Sequence, residues 1–281
     1  MKTRTFTTIS VCIAFVAMIA LNAVAILLPL NGRTTRELSD KYLTDLTPAA
    51  YTFSVWNVIY LLLLGFVLRV VWMRKESANF YALVDKIINW FILSCVLNGA
   101  WIIAWHFEQT GMSVCIMLGL LFVLLKIYTT IQTARLQDNK LNNFTLYFPF
   151  SVYLAWICAA AITNFAAFLV SIHWKQPTFG NIDWAAMMLM IVLVVTLVFL
   201  FTFKDKLFAA TILWALAGIG VQQYEKHNTL NVVLEVDMIC FVLLLAALLS
   251  SVRQIKAVNL LPAVNTQYRP MKGKPSYFMN N

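Results

Sequence analysis

Charged residues are scarce in this chain. They make up 12% of its 281 residues, whereas 61% are hydrophobic, and the mean hydropathy is +0.78. Soluble domains carry about a quarter charged residues, and one core of this length cannot bury so much apolar surface. A bilayer accepts apolar side chains, provided that the backbone is hydrogen-bonded within each segment, as in a helix. The composition therefore excludes an ordinary soluble domain and predicts an all-α, polytopic transmembrane bundle.

Catalytic motifs and metal-ligand patterns are also lacking. The sequence contains no GxSxG, HExxH, P-loop or dinucleotide-binding motif. Its five cysteines are isolated within apolar runs, which favours buried thiols over a disulfide framework. The three histidines, His106, His173 and His227, have no partner at ligand spacing. We therefore expect no catalytic residues, no metal site and no required cofactor, and the sequence does not predict an enzyme.

Long apolar runs are what the sequence has in abundance. Most are about 20 residues long, the length that a helix needs to cross a hydrocarbon core of about 30 Å. The seventh is the shortest, with about 15 residues, which is short for a core of this thickness at 1.5 Å per residue. The predicted segments are 8–30, 50–73, 84–106, 112–134, 146–172, 184–203, 207–222 and 231–252.

Basic residues are concentrated in every second connection and in the tail. The formal net charge is +9, but no basic face interleaved with exposed aromatic residues occurs, which argues against a nucleic-acid partner. Cytoplasmic loops carry an excess of Lys and Arg. We therefore predict a multi-pass protein of the plasma (cell) membrane with both termini in the cytoplasm. Eight crossings, including segment 207–222, keep on one side the basic regions 2–4, 74–86, 135–140, 204–206 and 253–274.

The connection 31–49 is longer than a turn between neighbouring helices. It contains three basic and three acidic residues, and long loops between spanning helices often carry function. A merely solvated connection is the alternative. The C-terminal residues 257–281 contain three prolines and are predicted to be a disordered cytoplasmic tail.

Several polar residues interrupt the apolar segments. Asn57, Asn98 and Asn164 fall in separate predicted helices, where a polar group costs several kcal/mol unless it is hydrogen-bonded. Hydrogen bonds between helices and the lining of a ligand cavity both explain them. Glu235 and Asp237 enter the last segment near its outer end, and their spacing directs them to different faces of the helix. A proton relay and interfacial solvation both remain open for these carboxyl groups.

Deep tryptophans are the second signal. Trp56, Trp101 and Trp156 lie within predicted helices rather than at their ends, where interfacial tryptophans are usually found. Trp101 and Trp105 are four residues apart and share one helical face, with Asn98 on the same stripe. Such rings either pack in a core or form the walls of a flat cavity for a large aromatic or sterol-like ligand.

Three short motifs occur in chain order, each in a separate apolar segment. They are 48–60 with Phe53 and Trp56, Leu97-Asn98 with Trp101, and Tyr153-Leu154-Ala155-Trp156 with Asn164. Together they resemble the TspO/MBR family, the tryptophan-rich sensory proteins related to the mitochondrial translocator protein. The resemblance covers about residues 8–172. The chain also resembles longer bacterial members of the family.

The resemblance implies a five-helix unit in residues 1–172, and the remaining apolar segments predict three additional membrane helices in 173–256, a departure from compact family members. It further implies a pocket for a porphyrin or haem-like ligand, with loop 31–49 as a lid. The expected partners are the lipid bilayer, a hydrophobic small molecule and, in a homo-oligomer, further copies of the chain. The pocket residues implied by the resemblance are Phe53, Trp56, Asn98, Trp101, Tyr153, Trp156 and Asn164.

Three functions follow from these observations. The first is a non-enzymatic membrane protein that binds a planar hydrophobic ligand and has a sensory or transport role. The alternative is a proton-coupled secondary transporter of a small hydrophobic substrate, in which Glu235 and Asp237 relay protons. An enzyme that degrades porphyrin with the deep tryptophans is the third and least favoured reading.

Overall fold

The computed structural model describes residues 2–28, 30–72, 76–138, 144–174 and 184–260, with side chains described except at 2–6, 36 and 253–260. Within these ranges the chain is helical and contains no strand. Two short 3-10 helices, Leu30–Gly32 and Ala50–Ser54, precede the second long helix of the bundle. The helices are α1 Lys2–Leu27, α2 Thr35–Lys41, α3 Val55–Val71, α4 Ala78–His106, α5 Thr110–Gln137, α6 Phe144–Ser171, α7 Trp184–Thr202, α8 Lys206–His227 and α9 Val232–Leu260.

Eight of these helices are long and apolar enough to cross a membrane, α2 being the exception. The all-α polytopic fold that the sequence predicts is therefore confirmed. The predicted short segment 207–222 is part of α8, which has 22 residues. It is longer than its apolar run because Asp205 caps its first turn and the polar residues 222–227 remain helical up to Asn228, whose φ of 52° ends the helix. Of the predicted tail, residues 261–281 lie outside the described residues.

One hydrophobic core joins all eight long helices. α4 packs between α1 and α5, α6 contacts α3, α5 and α8, and α9 packs against both α7 and α8. The predicted five-helix unit and the three helices that follow it therefore share a core. Phe199 of α7 and Phe208 of α8 stack with their ring centroids 4.0 Å apart.

A buried carboxyl group fixes the start of α8. Asp205 is fully buried, and its oxygens accept hydrogen bonds from the backbone N–H groups of Leu207 (3.1 Å) and Phe208 (3.0 Å). The hydroxyl groups of Tyr128 on α5 and Ser151 on α6 also donate to it, each over 2.8 Å. One side chain thus satisfies the N-terminal N–H groups of α8 and ties the helix to α5 and α6.

Candidate ligand-binding site

A narrow cavity lies at the end of the bundle that carries α2. Its volume is about 70 Å³, which is room for about two water molecules. Four tryptophans contribute to its wall, together with hydroxyl-bearing residues of α2 and α6. The lining residues come from α2, α3, α4, α6, α8 and the segment between α2 and α3: Thr35, Ser39, Tyr42, Thr47, Pro48, Phe53, Trp56, Trp101, Trp105, Trp156, Ala159, Ala160, Thr163, Asn164, Ala167, Ala215 and Ile219.

Five of the seven predicted pocket residues line this cavity: Phe53, Trp56, Trp101, Trp156 and Asn164. Their rings meet mostly edge to face. The ring of Trp156 is 6.1 Å from that of Phe53 and 6.3 Å from that of Trp56, at interplanar angles of 83° and 84°. The aromatic wall therefore comes from three sequence-distant segments that the fold brings together.

The other two predicted residues, Asn98 and Tyr153, lie behind the wall rather than in it. Asn22 of α1 donates from Nδ2 to Asn98 Oδ1 over 2.8 Å, and Asn98 Nδ2 donates to the Tyr153 hydroxyl over 3.0 Å. The Tyr153 ring then packs edge to face against Trp56, with centroids 5.9 Å apart. This buried chain of hydrogen bonds connects α1, α4 and α6 and supports the Trp56 side chain. Its first member, Asn22, had no signal in the sequence beyond being a polar residue in an apolar run.

Three hydrogen-bond donors of cavity-lining residues have no partner in the described part of the chain. They are Trp101 Nε1, Trp156 Nε1 and Asn164 Nδ2, and all three atoms are buried. The Oδ1 atom of Asn164 accepts a hydrogen bond from Ser113 Oγ over 3.2 Å, so only the amide nitrogen of this side chain lacks a described partner. Burying a donor without an acceptor costs about 1–3 kcal/mol. An acceptor oxygen or nitrogen that reached these three atoms would satisfy them.

A larger cavity of about 440 Å³ adjoins the narrow one. The two share Thr35, Phe53, Trp56 and Trp101, so the same aromatic side chains face both spaces. Its volume falls within the range of about 300–1,000 Å³ that is usual for small-molecule sites. The remaining residues around the larger cavity are Asn22, Ile26, Thr34, Ala50, Ser54, Asn57, Tyr60 and Ile102.

The predicted lid, 31–49, contains α2 and is anchored to the turn between α4 and α5. Lys41 forms an ion pair with Glu108, and the Tyr42 hydroxyl donates to Glu108 Oε2 over 2.6 Å. The hydrogen bond from Lys41, followed by that from Tyr42, lowers the pKa of Glu108. At the other end of the lid, Asn31 donates to the backbone oxygen of His106 over 3.1 Å. The lid is therefore held at both ends of α2.

Helix α8 holds the second half of the lid and forms part of the cavity wall. Ala215 and Ile219 line the narrow cavity. The backbone N–H of Ala49 donates to the oxygen of Gly218 over 2.9 Å, and Trp214 Nε1 donates to the oxygen of Thr52 over 3.0 Å. No pocket role was predicted for α8, although small residues such as Gly218 and Gly220 permit close helix approach.

The two carboxyl groups of the predicted relay occupy different environments on α9. Glu235 is exposed, whereas Asp237 is 2% exposed and its Oδ1 atom has no described partner. Their spacing places them on different faces, as expected for a regular helix. Among the described residues, no group of three or more His, Cys, Asp or Glu side chains is placed to hold a metal ion.

Comparison with known families adds one finding. A family model described as TSPO-like protein matches residues 8–250, from the first turns of α1 into α9. The match thus covers most of the chain and includes α7 and α8 as well as the first five membrane helices. No curated protein and no solved structure matches the chain.

Proposed function

This chain belongs to the TSPO-like protein family, and from that premise we propose that it is an integral membrane protein that binds a planar hydrophobic ligand of the porphyrin or haem type. The observation that carries the proposal is the set of three unpartnered donors, Trp101 Nε1, Trp156 Nε1 and Asn164 Nδ2, on residues that line an aromatic cavity. Such donors favour a ligand with acceptor atoms at one edge.

The shape of the site supports a flat ligand. Trp56 and Trp101 belong to both cavities, and aromatic faces and edges attract flat π-systems. The larger cavity has the volume for an aromatic body of this kind, whereas the narrow cavity admits only a few atoms. We infer that the ring system lies in the larger cavity and that an acceptor group on its edge reaches the donors of the narrow one.

The chemistry of the site selects among porphyrin-like ligands. A carboxylate oxygen accepts up to two hydrogen bonds, and hydrogen bonds to a charged acceptor are roughly twice as strong as neutral ones. The propionate groups of a protoporphyrin provide such oxygens. With both termini in the cytoplasm, as the distribution of basic residues favours, the site lies toward the outer face of the cell membrane, which suits a sensory or transport role.

The proposal is tested with the full-length protein in detergent or nanodiscs by titrating protoporphyrin IX and following the absorbance of the porphyrin itself. We expect saturable binding at micromolar concentration. Replacing Trp156 by Phe keeps an aromatic ring but removes the N–H, and a lost hydrogen bond of about 1 kcal/mol weakens binding roughly five-fold or more. The exposed Trp72, at the far end of α3, is the matched control, and Trp72→Phe leaves the affinity unchanged.

A second ligand separates donor recognition from simple partitioning into an apolar site. The dimethyl ester of protoporphyrin keeps the ring but has no carboxylates. We expect the ester to bind more weakly than the acid to the unchanged protein, with a smaller loss on Trp156→Phe. Absence of saturable binding of the acid, or equal affinities for both forms in every variant, contradicts the proposal.

A further inference from the structure

Asp237 is a buried carboxyl group on the face of α9 that packs against α8. It is 2% exposed. Gly220 lies opposite, and a β-carbon added to that glycine would be 2.7 Å from Asp237 Oδ2 and 3.9 Å from Leu234 Cδ1. The carboxyl group therefore rests directly on the α8 backbone, at a position that only glycine leaves open.

In the part of the chain that the structure describes, no cation is paired with this carboxyl group. The neighbouring helix α7 has no charged or titratable residue between Trp184 and Thr202. On α8, the residues Tyr224 to His227 are exposed in the last turn, and Lys226 pairs with Asp45 over 2.8 Å. On α9 itself Glu235 is exposed, and Cys240 is the titratable neighbour one turn further on. Among the described residues, Oδ1 of Asp237 has no hydrogen-bond partner.

The surroundings suit a proton better than a metal ion. An ionised carboxylate without a partner is strongly disfavoured in an apolar helix interface. A hard cation requires several oxygen ligands, and the described residues contain no cluster of three or more His, Cys, Asp or Glu side chains around Asp237. Binding one proton neutralises the carboxyl group without any further ligand.

The position of Asp237 connects it to the ligand site through α8. Gly220 contacts Asp237 on one face of this helix, and Gly218 contacts Thr52 on another. Between them in sequence, Ile219 lines the narrow cavity. A shift of α8 itself would therefore change both its contact with Asp237 and its contact with Thr52, the residue next to Phe53 in the cavity wall.

We propose that Asp237 is a proton-binding site coupled through α8 to the ligand cavity, so that the protonated protein has the tightly packed cavity described above and the ionised protein binds the ligand more weakly. Ionisation requires water or another hydrogen-bond donor at the carboxylate, and admitting it loosens the contact of α9 with Gly220. This proposal rests on the proposed function for its ligand, but not for the proton site itself.

The proton site is tested without any ligand by infrared spectroscopy of the full-length protein in nanodiscs as a function of pH. We expect a protonated-carboxyl band that titrates, that is absent from Asp237→Asn and that persists in the exposed neighbour control Glu235→Gln. Asp237→Ala serves as a second variant if the asparagine variant does not fold. A spectrum without such a band at any pH overturns the proposal.

The coupling is tested by hydrogen–deuterium exchange at residues 49–52, corrected for the intrinsic pH dependence of exchange. We expect exchange of the Ala49 amide to rise as Asp237 ionises, and this rise to be missing in Asp237→Asn. Relative to the affinity of Asp237→Asn, in which the porphyrin's own titration is identical, the protoporphyrin affinity of the unchanged protein should fall by about five-fold or more over the same pH interval, the lower end of usual coupling. If exchange and porphyrin affinity depend on pH in the same way in the unchanged protein and in Asp237→Asn, the coupling is overturned. If porphyrin binding fails while the exchange result holds, only the proposed ligand is contradicted.

Discussion

Gly218 of α8 lies so close to Thr52 that a β-carbon on the glycine would be 2.0 Å from the threonine Oγ1 and 2.9 Å from its Cβ and Cγ2. The approach brings the Ala49 N–H within 2.9 Å of the Gly218 oxygen. A backbone-to-backbone hydrogen bond between the lid segment and α8 is possible at this point because the glycine has no side chain.

Gly218→Ala is therefore expected to separate α8 from the lid segment. The added methyl group cannot fit beside Thr52, and overpacking of this kind costs typically about 1–3 kcal/mol. We expect a lower unfolding temperature and weaker protoporphyrin binding. Gly119→Ala is the control, because its β-carbon would be 3.8 Å from Leu97 Cδ1, an ordinary contact. Equal stability of the two variants would show that the Thr52 contact is not required.

Asp205→Asn tests the network that anchors α8 at its other end. Asparagine caps a helix about as well as aspartate, so the hydrogen bonds to Leu207 and Phe208 can persist. With the capping oxygen kept at Oδ1, which Ser151 also reaches over 2.8 Å, the NH2 group takes the place of Oδ2 and cannot accept the hydrogen bond from Tyr128. The remaining bonds lose their charged acceptor, and each hydrogen bond to such an acceptor is worth about 1.5–3 kcal/mol.

We expect a clear fall in the thermal unfolding temperature of Asp205→Asn. Tyr128→Phe, which removes one donor, should cost less than Asp205→Asn. The exposed Asp85 provides the matched control Asp85→Asn, which should leave the unfolding temperature unchanged. An unchanged unfolding temperature of Asp205→Asn would mean that the network does not contribute to stability.

The contacts of Glu108 predict that the anchoring of the lid depends on pH. Its pKa is lowered in the folded protein, first by the hydrogen bond from Lys41 and then by that from Tyr42. A group with a lowered folded-state pKa contributes its stabilisation above the ordinary glutamate pKa and loses it as the pH falls through the lowered value. The anchoring of α2 should therefore be constant near neutral pH and weaken in acid.

Hydrogen–deuterium exchange of residues 35–42, corrected for intrinsic rates, measures this effect. Glu108→Gln should raise the exchange at neutral pH by a few-fold, the small effect typical of a partly exposed ion pair, and should remove its acid dependence. High salt should act in the same direction on the unchanged protein. Exchange that is insensitive to both the variant and the salt would show that Asn31 and the other contacts hold the lid alone.

Much of the site was predictable because its aromatic residues occur in recognisable motifs. Phe53, Trp56, Trp101, Trp156 and Asn164 all line the cavity. The motifs did not distinguish these residues from Asn98 and Tyr153, which lie one layer behind. That distinction depends on the rotation of α4 and α6 about their axes, and residues on adjacent stripes of a helix have the same local sequence pattern.

Helix α8 shows most clearly what could not be predicted from the sequence. Its apolar run is the shortest, and the sequence contained no cue that Ala215 and Ile219 line the cavity or that Gly218 and Gly220 face different partners. Small residues permit close approach in any direction. Which neighbour uses that space is determined by how the helices are arranged.

The sequence by itself determined that the chain is a membrane protein with eight apolar helices, because the length of each apolar run and the need for internal hydrogen bonding are local properties. Only the tertiary structure decided which faces of those helices meet and which face lipid. The physical reason is that lipid tails are as apolar as a protein core, so burial leaves little periodic pattern in the sequence. The tertiary structure therefore placed α8 in the wall of the cavity and Asp237 on Gly220.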